Sequence, residues 1–175
     1  MRIISFVVAG ISGAAFAGNI DVTDDIVTSE TWTADNVYNL TSQIYVRPGA
    51  TLTIQAGTKI VSTATANGSG ALCVANGGQL FVNGDSRAPV VMTSNLDDGT
   101  WRASCNEWGN LTICGDAYIG FDGVTNAGGF PGNTLSPSAS NEANMEGLVE
   151  EAGNPTLNNY GGGDDNYDDG SISYL

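Results

Sequence analysis

An internal echo constrains the fold of this chain more than any other feature. Slid by 28 residues, Ile44, Val46, Gly49, Leu52 and Ile54 fall on Leu72, Val74, Gly77, Leu80 and Val82. Each copy reads apolar-x-apolar, a glycine turn, then apolar-x-apolar, which is one corner of a coil of short strands with alternate side chains turned inward. One coil cannot cover its own inward side chains, so coils must stack, and the pattern specifies an all-β solenoid. Stacking places Leu80 over Leu52, Val82 over Ile54 and Val74 over Val46, at the parallel-strand spacing of about 4.8 Å.

Around the echo, the alternating runs 31–33, 37–40, 43–46, 51–54, 58–61, 71–74, 79–82, 89–93, 111–113 and 117–119 read as strands. Residues 1–17 read as a signal peptide: a positive start at Arg2, an uncharged apolar run, and Ala15-Phe16-Ala17 as the cleavage site. That run is shorter than the roughly 20 apolar residues a spanning helix requires, and no later segment could span a membrane. The expected organisation is therefore a signal at 1–17, a polar leader at 18–30 and a solenoid domain at 31–175. A Gly-, Asn- and Ser-rich excursion interrupts the solenoid at about 121–144. Ile172 to Leu175 opens a further strand without a cap, so the chain is expected to be the amino-terminal part of a longer coil.

The net charge is −14, with Lys plus Arg 5. Such a surface repels nucleic acid and anionic membranes, because phosphate binding takes clustered cations, and Arg47, Lys59, Arg87 and Arg102 are scattered. Three cysteines in an exported chain leave one unpaired. Cys105 and Cys114 flank Trp108-Gly109-Asn110 and are placed to close a short loop; three free thiols are the alternative, since connectivity cannot be deduced from sequence. Cys73 occupies the position of Tyr45 in the other repeat, on the face opposite its apolar neighbours.

Further residues carry a family resemblance. Trp32-Thr33-Ala34-Asp35, Tyr38-x-Leu40 and Ile44-x-Val46-x-x-Gly49-Ala50-x-Leu52-Thr53-Ile54-x-Ala56-Gly57-Thr58-x-Ile60 are followed by Pro89-Val90-Val91-Met92-Thr93-Ser94. Trp108-Gly109-x-Leu111-x-Ile113-x-Gly115-x-Ala117, Glu146-Gly147 and Gly161-Gly162-x-Asp164-Asp165-x-x-Asp168-x-Gly170-x-Ile172-x-Tyr174 complete the order. Residues 31 to 175 thus resemble the amino-terminal part of large exported bacterial proteins with a right-handed parallel β-helix. The resemblance implies secreted or surface proteins and specifies no activity.

Chemistry must come from sites. With His 0, Ser-His-Asp and Cys-His mechanisms are excluded, and a zinc site would need Cys and carboxylates alone. Polygalacturonase-like hydrolases use clustered Asp with Gly-His-Gly and Arg-Ile-Lys segments, and neither segment is present. Pectate-lyase-like catalysis uses calcium on several Asp beside an Arg or Lys base. Arg47 lies in a turn before Pro48 and Lys59 on an alternating strand, neither in an evident acidic cluster. Nothing singles out a pair of carboxylates for hydrolysis. No catalytic or cofactor-binding residue is assigned.

Asp164, Asp165, Asn166, Asp168 and Asp169 offer oxygen ligands at close spacing, read either as solvated turn residues or as a weak calcium site. Of the aromatics, Trp32 is expected over the first coil as an end cap and Trp108 inside the third. Tyr45, opposite Ile44 and Val46, is the ring most expected outside. The resulting expectation is a non-catalytic structural or adhesive module of a secreted or cell-surface protein, with glycans or surface components as partners. The alternative is a carbohydrate-binding or polysaccharide-degrading β-helix with its site on further coils.

Overall fold

The computed structural model describes residues 18–65, 68–101, 106–119, 142–149, 151–154 and 156–175. The expected signal segment at 1–17, Cys105 and most of the expected excursion lie outside them. The strands are β1 (Gly18–Val22), β2 (Glu30–Trp32), β3 (Asn36–Leu40), β4 (Gln43–Val46), β5 (Thr51–Gln55), β6 (Lys59–Ser62), β7 (Ala64–Thr65) and β8 (Gly68–Ser69). They continue with β9 (Ala71–Val74), β10 (Gln79–Asn83), β11 (Val91–Ser94), β12 (Leu111–Ile113), β13 (Ala143–Asn144), β14 (Asn159–Tyr160) and β15 (Gly170–Ser173).

Three parallel sheets form the walls of the coil, in the orders β1-β3-β6-β11, β2-β5-β10-β15 and β4-β9-β12. Leu80 pairs with Leu52, Val82 with Ile54 and Val74 with Val46, all in parallel register, as the echo requires. All six side chains are fully buried, because alternation turns them into a core one residue thick. Gly49 and Gly77, the echoed turn glycines, sit at φ 81° and 87°, where a side chain is strained. Thr58 and Ser62, also fully buried, donate their hydroxyls to Gln55 O at 2.7 Å and Gly70 O at 2.9 Å. Their burial therefore leaves no unmet hydroxyl donor. Trp32 caps the first coil as expected, stacked on Tyr38 with centroids 4.5 Å apart and donating Nε1–H to Glu30 Oε2. Trp108 packs half-buried against the same core.

Two stretches differ from the sequence reading. The polar leader is part of the coil: β1 pairs along its length with β3, and Ile26 bridges Val46 from below. Polarity misled because β1 lies at the end of the stack, where outward residues meet water and Ile20 remains exposed. The second difference follows β12. Residues 117–119, expected as the next strand, are irregular, and the corner stacked on β10 is β15 instead. Among the described residues, no strand between β12 and β15 joins the three walls, so the interruption is wider than 121–144. Only glycine permits the return: Gly170 has φ 118°, and a Cβ there would lie 1.9 Å from Leu80 O.

Candidate functional site

The departing chain does not hang free. Residues 142–149, 151–154 and 156–160 form a strap, closed on itself by antiparallel pairing of β13 with β14 and laid over the outer face of β4, β9 and β12. The outward positions of that face are Tyr45, Ala71, Cys73, Ala75 and Cys114; with Leu148 and Leu157 of the strap they make a second buried cluster. Alternate residues along one edge supply polar anchors. Gln43 clamps the Val149 peptide at both ends, Nε2–H to its carbonyl and Oε1 from its N–H, each at 3.1 Å. Tyr45 O–H donates to the same carbonyl, and Arg47 pairs with Glu151 and with Asp25.

This corrects two expectations. Tyr45 does project opposite Ile44 and Val46, but it is 1 % exposed, because the strap covers it. Arg47 stands between two carboxylates brought from 22 residues before it and 104 after it, a cluster no local spacing reveals. Both guanidinium contacts are structural ion pairs, and they tie the leader and the strap to the first coil. Beneath the strap, Cys73 and Cys114 are free and fully buried. Burial, with each other's proximity adding for Cys73, pushes their thiols up to about 12 and about 11. These thiols are unreactive as thiolates while the strap is seated. The expected Cys105–Cys114 pairing falls partly outside the described residues.

The residues expected to favour calcium are spread along a loop that caps its own backbone. Asp164 Oδ1 accepts Asn166 N–H at 2.9 Å, Asp168 Oδ1 accepts Gly170 N–H at 2.9 Å, and Asp165 Oδ1 reaches across to Tyr118 N–H at 3.0 Å. Asn166 is exposed. Asp169 turns the other way, half-buried beside Gly115, its Oδ1 without a hydrogen-bond partner. Burial and then the neighbouring Asp168 and Asp116 carboxylates raise its pKa. No group of three or more His, Cys, Asp or Glu side chains is gathered at metal-holding distance among the described residues.

Asp169 makes a pH prediction. A raised carboxyl keeps its proton to higher pH in the fold than in the unfolded chain, so its ionisation costs stability. That cost is absent below the ordinary carboxylate pKa, grows as pH climbs through the window above it, and is complete beyond the folded-state value. Asp169→Asn should therefore melt higher than the parent at neutral pH and match it in acid. Melting temperature followed from pH 3 to pH 8 checks this; an equal gain at every pH, or a loss at neutral pH, contradicts it.

A concave surface lies on the outer face of β1, β3, β6 and β11. Register sets Asn19, Val37 and Lys59 in one outward column and Asp21, Asn39 and Val61 in the next. With Ser94 and Asn95 they line a groove of ≈ 390 Å³. A ladder of side-chain bonds runs up its wall: Asn39 Nδ2–H to Asp21 Oδ1 at 2.8 Å, Thr63 Oγ1–H to Asn39 Oδ1 at 2.8 Å, and Asn95 Nδ2–H to Thr63 Oγ1 at 3.3 Å. These contacts fix the amides before any ligand arrives. Lys59, the chain's only lysine, is exposed and makes no ion pair among the described residues. The groove thus offers one ammonium, one carboxylate, amide donors and acceptors, and a valine floor.

Sequence reading missed this site because two of its lining residues, Asn19 and Asp21, come from the segment taken as a leader outside the coil. The usable signal was the shared outward phase of Asn19, Asp21, Asn39 and Lys59. No helix among the described residues is long and apolar enough to cross a membrane.

The model of the pectate-lyase-like β-helix domain family matches residues 24–175, and the chain belongs to that family. No match was found among curated proteins or among solved structures.

Proposed function

We propose that this member of the pectate-lyase-like β-helix family is a non-catalytic adhesive module of a secreted or cell-surface protein, holding a segment of glycan in the groove over β1, β3, β6 and β11. The observation that carries the reading is the groove itself, where a pre-set amide ladder lies beside an ammonium with no ion pair among the described residues and short apolar floor residues. Sugar hydroxyls need such fixed donors and acceptors, and sugar C–H faces need the apolar floor. Holding is favoured over turnover by the residues lining the groove. Glycoside hydrolysis takes two carboxylates flanking the bond; here Asp21 is the one acid, and Asn39 already donates to it. Calcium enters as a diffuse counter-ion of the 164–169 loop, whose carboxylates serve their own backbone.

Calorimetric titration of the full chain with a panel of acidic and neutral oligosaccharides tests this. At least one should bind with defined stoichiometry, and Lys59→Ala, an exposed substitution, should weaken it at least tenfold, about 1.4 kcal/mol. No reducing ends or unsaturated sugars should accumulate. Affinity unchanged by Lys59→Ala, or product release that Asp21→Asn abolishes, contradicts the proposal.

A further inference from the structure

The third wall of the coil, β2-β5-β10-β15, presents a surface unlike the other two. Leu52, Ile54, Leu80 and Val82 turn inward, so the intervening residues face out. Register stacks Thr31, Thr53, Phe81 and Ser171 into one central column that crosses all four strands. The flanking outward columns carry only Thr, Gln, Asn and Ser. Glu30 occupies the phase of Leu52 and accepts Trp32 Nε1–H at the end of the coil, away from the outward set. In a chain with Asp plus Glu 19 and a net charge of −14, the outward positions of these four strands carry no charged side chain, and Asp168 and Asp169 come only at the border, just before β15.

The polar groups of the central column are unspent. Thr31, Thr53 and Ser171 make no side-chain hydrogen bond among the described residues, and Phe81 is half-buried in their midst. Solubility alone favours charge on such positions. A nucleic acid or an acidic glycan would need cations. A protein partner needs several aromatic or apolar anchors at the centre of its interface, and here there is one ring. A second copy would bring its own −14 against this one. Hydroxyl and amide groups repeating at the strand spacing of about 4.8 Å around one aromatic ring suit a partner that is itself uncharged, extended and regularly hydroxylated.

We propose that the face of β2, β5, β10 and β15 is an adhesion surface for a neutral polysaccharide in its ordered, insoluble form, lying against Phe81 and the Thr31–Thr53–Ser171 column. The site is separate from the groove and does not depend on it. Full-length protein incubated with microcrystalline cellulose or with chitin, then pelleted, gives the readout. The parent should deplete saturably from the supernatant on at least one of them. Phe81→Ala and Thr53→Asp should reduce the bound fraction at least tenfold at equal protein, while Lys59→Ala in the groove leaves it unchanged. Ser171→Asp, at an exposed position, serves where Thr53→Asp melts below the assay temperature. Adsorption to neither solid, or adsorption that survives a charge placed on this face, overturns the proposal. So does a parent dimer in sedimentation equilibrium that Ser171→Asp dissolves, which would give the face to a second copy instead.

Discussion

Leu80→Asp is expected to abolish folding. Leu80 is fully buried, paired in register with Leu52 below and with Gly170 above, in a core that is one side chain thick per coil. Removing a buried leucine costs about 2–5 kcal/mol. A carboxylate in its place adds several kcal/mol, since no cation lies in that core to pair with it. A domain stable by about 5–15 kcal/mol does not survive both. Far-ultraviolet circular dichroism and size-exclusion elution should show an unfolded or aggregated product, whereas Thr53→Ser, one residue out of phase with the core, should keep the parent spectrum. A cooperative melt within a few degrees of the parent for Leu80→Asp would mean that Leu80 does not face the interior.

The strap should come away without the coil. Leu148→Ala with Leu157→Ala removes two buried leucines from the second cluster, each worth about 2–5 kcal/mol, with some non-additivity because they share one face. What remains to hold the strap is the half-buried packing of Met145 and Tyr160, the Gln43–Val149 clamp, the Tyr45 hydroxyl and Arg47–Glu151 at one edge, and Gly161 beyond its end, which donates to Gly115 O and accepts from Asn76 Nδ2–H. Such polar contacts contribute about 1 kcal/mol apiece. The double variant should therefore retain the parallel coil but open the face beneath. Cys73, whose thiol burial holds at about 12, should fall back toward an ordinary cysteine and become alkylated at pH 8. Peptide mass spectrometry reads Cys73 separately from Cys105 and Cys114. Parent Cys73 labelled as fast as a free thiol would show that the strap does not seal it. Loss of the coil's β spectrum in the double variant would show that strap and coil are one cooperative unit.

The coil was legible because its physics is local and repetitive. An apolar residue at every second position, a glycine where φ turns positive and the same pattern 28 residues on determine which side chains meet, and Leu52 under Leu80 follows. The strap was hidden because Leu148, beside Val149, and Leu157 follow no repeat in a stretch rich in Gly, Asn and Glu, and nothing periodic marks their destination. A trace of it was present. Ala71 to Ala75 is apolar on both phases, and an uninterrupted apolar strand is buried on both faces. The groove was hidden for a different reason, since it is assembled by stacking from residues 19, 21, 39, 59 and 95. Charge scattered along the sequence became local once the coil closed, as Arg47 between Asp25 and Glu151 also shows.

The claim that the groove over β1, β3, β6 and β11 holds a glycan without cleaving it is tested most directly by nuclear magnetic resonance on nitrogen-15-labelled full-length protein, titrated with the oligosaccharide that binds best. The side-chain amide signals of Asn19, Asn39 and Asn95 should shift together and saturate, those of Asn158 and Asn144 in the strap should stay in place, and the sugar's own spectrum should remain that of the intact oligosaccharide. Shifts confined to other parts of the chain, or the growth of product sugar signals in the tube, would contradict it.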